Sequence, residues 1–213
     1  VRSRTRIVNQ IRGFRKSEGF RLPKCSAASF ARMEKHMPPA VGEVAKPLFA
    51  VLKELAKKIG VYDTMITDAV KRLHGEEAAL LEPIAGVGPV TSAAFLAAVG
   101  DVSTFGSARD AGPYFGLVPR QDQSGQTDKQ LRISKEGNGI VRRLLVTAAN
   151  YIMGPFGKDS DLRRHGMRIA ERGGRNARKR AKTAVARKLA VVMLAVLKSR
   201  TAYRPLSDVG AVA

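Results

Sequence analysis

Cysteine is nearly absent from this sequence. Cys25 stands alone, which excludes an intramolecular disulfide and a zinc site built on a cysteine cluster, and fits a reducing cytosol. Histidine is scarce as well: His36, His74 and His165 are too far apart in sequence to give a metal-ligand spacing. No apolar run reaches the roughly 18 residues that a membrane helix needs. The opening residues, Val1 to Arg6, hold no apolar signal core, so neither export nor a membrane partner is expected. Acidic residues are outnumbered, 18 against 38 Lys and Arg, leaving a net charge of +20 on 213 residues. Hydrophobic residues at 44% suffice for a core and exclude wholesale disorder. The length fits one domain or two small ones.

The positive charge is concentrated. Residues 1–24 carry eight Lys and Arg against Glu18 alone, and residues 163–188 carry eleven against Glu171 alone. Between them the chain is close to neutral. A near-neutral body with two cationic segments suits a phosphate backbone, because closely spaced cations displace condensed counterions. Solvated helix faces are the plainer alternative, but like charges at this density repel without a partner. An anionic membrane surface fits less well, since these segments lack an apolar face to bury in lipid.

The periodicity is almost entirely helical. Ile7, Val8, Ile11 and Phe14 predict a helix over 1–17 with arginines on its other side, ended by Gly19 and Pro23. A short helix is expected from Ser26 to Pro38. A long apolar series follows: Val41, Val44, Leu48, Val51, Leu55, Ile59, Tyr62, Ile66, Ala69, Leu73. Its alternating steps of three and four describe a coiled-coil or helical-hairpin seam that would pair protomers, or else one face of an ordinary core helix. Pro47 and Gly60 argue against a single straight helix. Over 76–100 an apolar helix stops at Pro83, a turn contains Gly86, Gly88 and Pro89, and an Ala-rich helix resumes. This reads as a helix-hairpin-helix whose turn amides could hold a phosphate, or as a plain helical hairpin. Residues 101–116 form a short helix with turns, and 117–134 an exposed polar loop or irregular hairpin. Asn138 caps a strong helix over 140–153. There the cations Arg142 and Arg143 oppose the helix dipole, so an anion should offset them. The chain is polar from Gly154 to Gly174. A last helix, basic and then apolar, runs over 176–200. The fold class expected is mainly α: a helical bundle with a long arm over 1–75, a second domain over 76–206 and a frayed tail over 207–213.

Chemistry is harder to place. Asp101, Asp110, Asp122 and Asp128 are scattered, and no acidic set with a metal-binding spacing emerges, so no metal site is assigned to this chain. Ser124 lies in a polar segment just before Lys129, Arg132, Lys135, Arg142 and Arg143. A serine hydroxyl can attack a phosphodiester whose charge nearby guanidinium groups neutralise. A serine beside Gly125 is equally a turn residue. Ser134 is the second candidate nucleophile. The nucleic-acid-binding set expected comprises Gly86, Gly88, Arg120, Lys129, Arg132, Lys135, Arg142, Arg143, Arg175, Arg178, Lys179, Arg180 and Lys182.

Several blocks together resemble a known family. They are the run from Arg4 to Gly13 (Arg-Thr-Arg-Ile-Val-Asn-Gln-Ile-Arg-Gly), Ile84 to Pro89, Gly100-Asp101 with Phe105, Gly116 to Gln121, Ser124-Gly125, Ile133 to Asn138, Arg142 to Leu145, and Ala186 to Ala190 with Tyr203 and Pro205. In this order they are similar to the C-terminal part of the IS 110 / IS 116 / IS 902 transposases, the bridge-RNA-guided DNA recombinases of bacterial insertion sequences. The resemblance implies DNA strand transfer with Ser124 as nucleophile. It implies double-stranded DNA of element and target as partners, a structured guide RNA beside them, and a bacterial, nucleoid-associated location. It also implies an N-terminal RuvC-like domain whose four acidic residues hold Mg²⁺. That domain has no counterpart in residues 1–213. The expectation is therefore a fragmentary copy, or one whose acids come from a second polypeptide, inactive alone. The alternative is a non-catalytic helix-hairpin-helix protein that binds DNA or RNA.

Overall fold

The computed structural model describes residues 1–19, 21–124 and 127–205; of Ala40 and residues 121–124 and 127–130 only the backbone is described. The described chain is mainly α, with a single two-stranded sheet. It divides into two compact units, Val1–Met65 and Ile66–Ala213. The boundary at 75/76 that the sequence suggests falls beside a break in a helix.

In the first unit, α1 (Arg2–Ser17) turns Val8 and Ile11 inward. They meet Phe30, from a 3₁₀ helix over Phe30–His36, and Ala45, Phe49 and Leu52 of α2 (Pro39–Leu81). Phe30 and Phe49 stack with centroids 6.0 Å apart. The Arg12 guanidinium lies 5.1 Å above the Phe30 ring, and its Nη2 donates to the Cys25 carbonyl at 3.1 Å. This cation is therefore used in packing. The face of α2 buried here is Val41, Ala45, Phe49 and Leu52, with Leu48 packed at its edge, so it overlaps the seam read in the sequence only at Val41 and Leu48. Of the seam residues, Val44, Val51, Tyr62 and Leu73 are exposed. The helix runs through Pro47 and Gly60 without interruption. It breaks instead at His74, with φ −144° and ψ 40°.

The second unit is organised around α7 (Ala177–Ser199). Its positions Val185, Ala186, Leu189, Ala190, Met193 and Leu194 are buried. It packs on α5 (Gly139–Ile152), on α6 (Asp161–Glu171) and on the four-residue α4 (Ala111–Tyr114). Phe95 of α3 (Pro89–Val99) lies 5.3 Å from Phe115 in the same core. Local sequence explains the ends of these helices. The Asn138 Oδ1 accepts from the amides of Ile140 and Val141 at 2.9 and 3.2 Å, and Pro89 begins α3 behind Gly88. At the far end of α5, Arg163 Nη1 donates to the Ile152 and Gly154 carbonyls, each at 2.7 Å. A cation there satisfies the Ile152 carbonyl, joins the Gly157 amide on the Gly154 carbonyl, and complements the dipole.

One segment departs from the sequence reading, and another decides between alternatives that it left open. The polar stretch 154–174 contains α6, started by Ser160, whose Oγ accepts from the Arg163 amide at 3.2 Å. Its apolar face is short because Gly166 supplies one position of it, where a side chain would collide with Val185 Cγ2 at 2.6 Å. The segment 117–134 is an antiparallel ribbon, β1 (Pro119–Ser124) with β2 (Thr127–Ile133). Between Pro119 and Gln121 the register slips, leaving an extra residue on β2. Polar residues on both strands hide the alternation that usually announces such a pair.

Candidate nucleic-acid interface

The ribbon grows from a tightly closed base. The Ser134 amide donates to the Val118 carbonyl at 2.9 Å, and the Lys135 amide to the Gly116 carbonyl at 3.2 Å. Gly116 and Gly137, at φ 62° and 69°, let the two strands of the base approach until a Cβ on either would collide with the opposite backbone. Lys135 also takes a left-handed conformation, φ 61°. Across this base lies Arg142: its Nη1 donates to the Phe115 carbonyl at 3.0 Å and to the Glu136 carbonyl at 2.6 Å. No bound anion is needed to offset this cation at the start of α5. Carbonyl oxygens do it, and Arg142 is a positioning residue for the ribbon.

Ser124 is the last residue of β1 and pairs with Thr127 beside the turn. Its side chain, like that of Lys129, lies outside the described ones, as does the Gly125 backbone. Ser134 is placed differently. Its Oγ is enclosed and without a hydrogen-bond partner among the described residues, so as placed it is not open to a phosphodiester. Arg120, Arg132, Lys135 and Arg143 are exposed. Arg120 lies on β1, Arg132 on β2, Lys135 at the base and Arg143 near the start of α5.

The hairpin glycines serve different ends. Gly86, φ 82°, backs onto α5, where a Cβ would come within 3.0 Å of the Ala148 carbonyl oxygen. Gly88 has open space around its Cα. Arg175, just ahead of α7, and Arg178, Lys179 and Arg180 in its first turn are exposed, and Lys182 is half-buried. Arg180 Nη2 donates to the Gly173 carbonyl at 3.1 Å. Sequence reasoning did not assign the neighbouring cluster on α6 and α7. Burial there pushes the His165 imidazole below its ordinary value, and Lys188, Arg168 and Arg172 press it further down. The dense basic spacing of 163–188 was its available signal.

A cleft of about 460 Å³ is lined by His74, Glu77, Asp101, Ser103, Lys198 and Arg200 among others. It holds both signs of charge, with Glu77 accepting from Arg200 Nη1 at 2.9 Å, and does not suit a polyanion. Among the described residues, no three His, Cys, Asp or Glu side chains come together to hold a metal ion. Among the described residues no helix is long and apolar enough to cross a membrane.

The architecture defines a mainly α protein with a cationic surface and a polar ribbon mounted on its core. Residues 78–160, which carry the ribbon, match the family described as Transposase IS116/IS110/IS902. The chain is 29% identical over 212 residues to the transposase for insertion sequence element IS1111A of Coxiella burnetii, covering 96% of this chain and 57% of that protein. It is 27% identical over 212 residues to a probable family 20 transposase of Pseudomonas aeruginosa, covering 96% of this chain and 62% of that protein. A pilin gene-inverting protein of Moraxella bovis is 32% identical over 127 residues, 59% of this chain and 38% of its own length. Residues 78–160 therefore carry the domain of the IS116/IS110/IS902 transposase family, and similarity to transposases extends over nearly the whole chain. The chain spans about three fifths of the length of the first two relatives.

Proposed function

We propose that this chain binds DNA and carries the nucleophile for site-specific strand transfer in transposition of an insertion sequence, with Ser124 in that role. The observation that carries the reading is the family match over 78–160, which encloses a ribbon whose first strand ends in Ser124 and whose strands and base carry exposed cations. In the proposed step the Ser124 Oγ forms a bond to phosphorus. The bond to the leaving deoxyribose oxygen breaks, and the serine proton ends on that oxygen. Arg120, Arg132, Lys135 and Arg143 neutralise phosphate charge as it builds up, and the basic start of α7 grips the backbone. Nothing in this step is routed through a metal. The Mg²⁺ and acidic quartet of the family resemblance would be supplied from outside residues 1–213. A structured guide RNA would bind alongside, and the exposed stripe of α2 would pair two copies.

Covalent capture tests this. Incubated with nicked element DNA, a reconstituted protein with its acidic domain should form an adduct that survives denaturing electrophoresis. Ser124→Ala should abolish the adduct and leave duplex binding unchanged. An adduct that persists in Ser124→Ala refutes the assignment. Binding without any adduct in the unaltered protein leaves a non-catalytic nucleic-acid-binding module instead.

A further inference from the structure

The first unit presents a feature that its own packing does not explain. Gly13 lies inside α1, where glycine is among the weakest helix formers. A Cβ at this position would meet nothing within 4 Å, so neither neighbour nor backbone strain calls for a glycine. On the helical projection Gly13 sits at the centre of the outward face, opposite Val8 and Ile11. Arg2, Arg6, Asn9, Gln10, Lys16 and Ser17 surround it, and all are exposed. Between Arg2 and Ser17 there is no acidic residue, and the first turn has basic residues where the dipole favours acids.

We propose that the outward face of α1 lies in the major groove of duplex DNA, with Gly13 as the point of closest approach. Glycine at the centre lets the helix axis sink toward the bases. Arg2 and Lys16 stand about 21 Å apart along the axis, enough to reach phosphates on either side of a groove about 12 Å wide. Asn9 and Gln10, flanking Gly13, carry the paired donor and acceptor that suit an adenine edge. The dipole-opposing arginines gain an anionic partner. An A-form RNA duplex does not fit, because its deep, narrow major groove excludes a helix. The surface does not depend on the serine: loss of the Ser124 assignment leaves it standing, and its failure leaves covalent capture intact.

The test uses the full chain and a labelled short DNA duplex, read by fluorescence anisotropy across a salt series, with an RNA duplex of the same sequence as a second arm. Gly13→Leu adds bulk but no charge, and should melt at or above the temperature of the unaltered chain. It should bind DNA several-fold more weakly. Arg2→Gln with Arg6→Gln should weaken DNA binding about ten-fold and lower the salt slope by about two. Lys46→Gln with Lys57→Gln, an equal charge loss on exposed positions of α2, should cost much less. The proposal is overturned if Gly13→Leu binds DNA normally, or if both double variants lose affinity alike. It is also overturned if RNA binding shows the same dependence on Gly13, or if Gly13→Leu lowers the sedimenting mass, which would assign the face to a second copy.

Discussion

Replacing Arg142 with methionine keeps most of the side chain's length and its aliphatic stem, and removes the guanidinium that ties Phe115 to Glu136. Two hydrogen bonds from a charged donor are lost, at 3.0 and 2.6 Å. Such bonds contribute about 1.5–3 kcal/mol each. Arg142 is only half-buried, so the low end applies and water recovers part of the loss, giving about 3 kcal/mol in all. For a unit of this size that corresponds to a drop of about 6–12 °C in melting temperature. Arg143→Met is the matched comparison. It removes the same charge one residue along, from an exposed side chain. It should leave stability within about 0.5 kcal/mol and weaken DNA binding. Calorimetry and anisotropy on the two variants separate positioning from contact. If Arg142→Met melts with the unaltered chain and loses DNA affinity as Arg143→Met does, Arg142 belongs to the interface and the account of the ribbon base is wrong.

His165 gives a pH prediction. Its folded pKa is depressed, first by burial and then by Lys188, Arg168 and Arg172, so the native state favours the neutral ring. Its contribution to stability is complete above the ordinary value near 6.5 and falls away as pH drops from there toward the depressed value. Melting temperature followed from pH 8 to 5 should lose this portion of its slope in His165→Gln, and an unchanged slope would remove His165 as its source. The exposed stripe of α2 predicts that Val51→Glu with Tyr62→Glu lowers the mass seen in light scattering. A mass unaffected by the double change would assign that stripe to something other than self-pairing.

Much of the fold was legible because it is local. The cap at Asn138, the proline start at Pro89 and the inward pair Val8 and Ile11 each depend on residues within one or two turns, where spacing and hydrogen-bonding capacity decide the outcome. The seam misled in part. Apolar steps of three and four in α2 mark a helix correctly, but they do not say which stripe meets α1. The ring stack of Phe30 on Phe49 settles that, and it joins residues on separate elements. Periodicity left 117–134 open between a loop and an irregular hairpin because its strands are mostly polar in sequence, and it missed α6 because a glycine occupies part of its inner face. Arg142 and Arg143 look alike in sequence. Their roles differ because the helix turns one toward the ribbon base and the other outward.

Composition by itself determined the strongly basic character of the chain, the spacing of apolar residues its mainly α class, and the order of its motifs pointed to its family, since all three are properties of residues taken in sequence. Tertiary structure decided which cations face solvent and which close the architecture: Arg12 over Phe30, Arg142 at the ribbon base, Arg163 at the end of α5. A guanidinium serves either end equally well, and only the atoms brought within its reach by folding select between them.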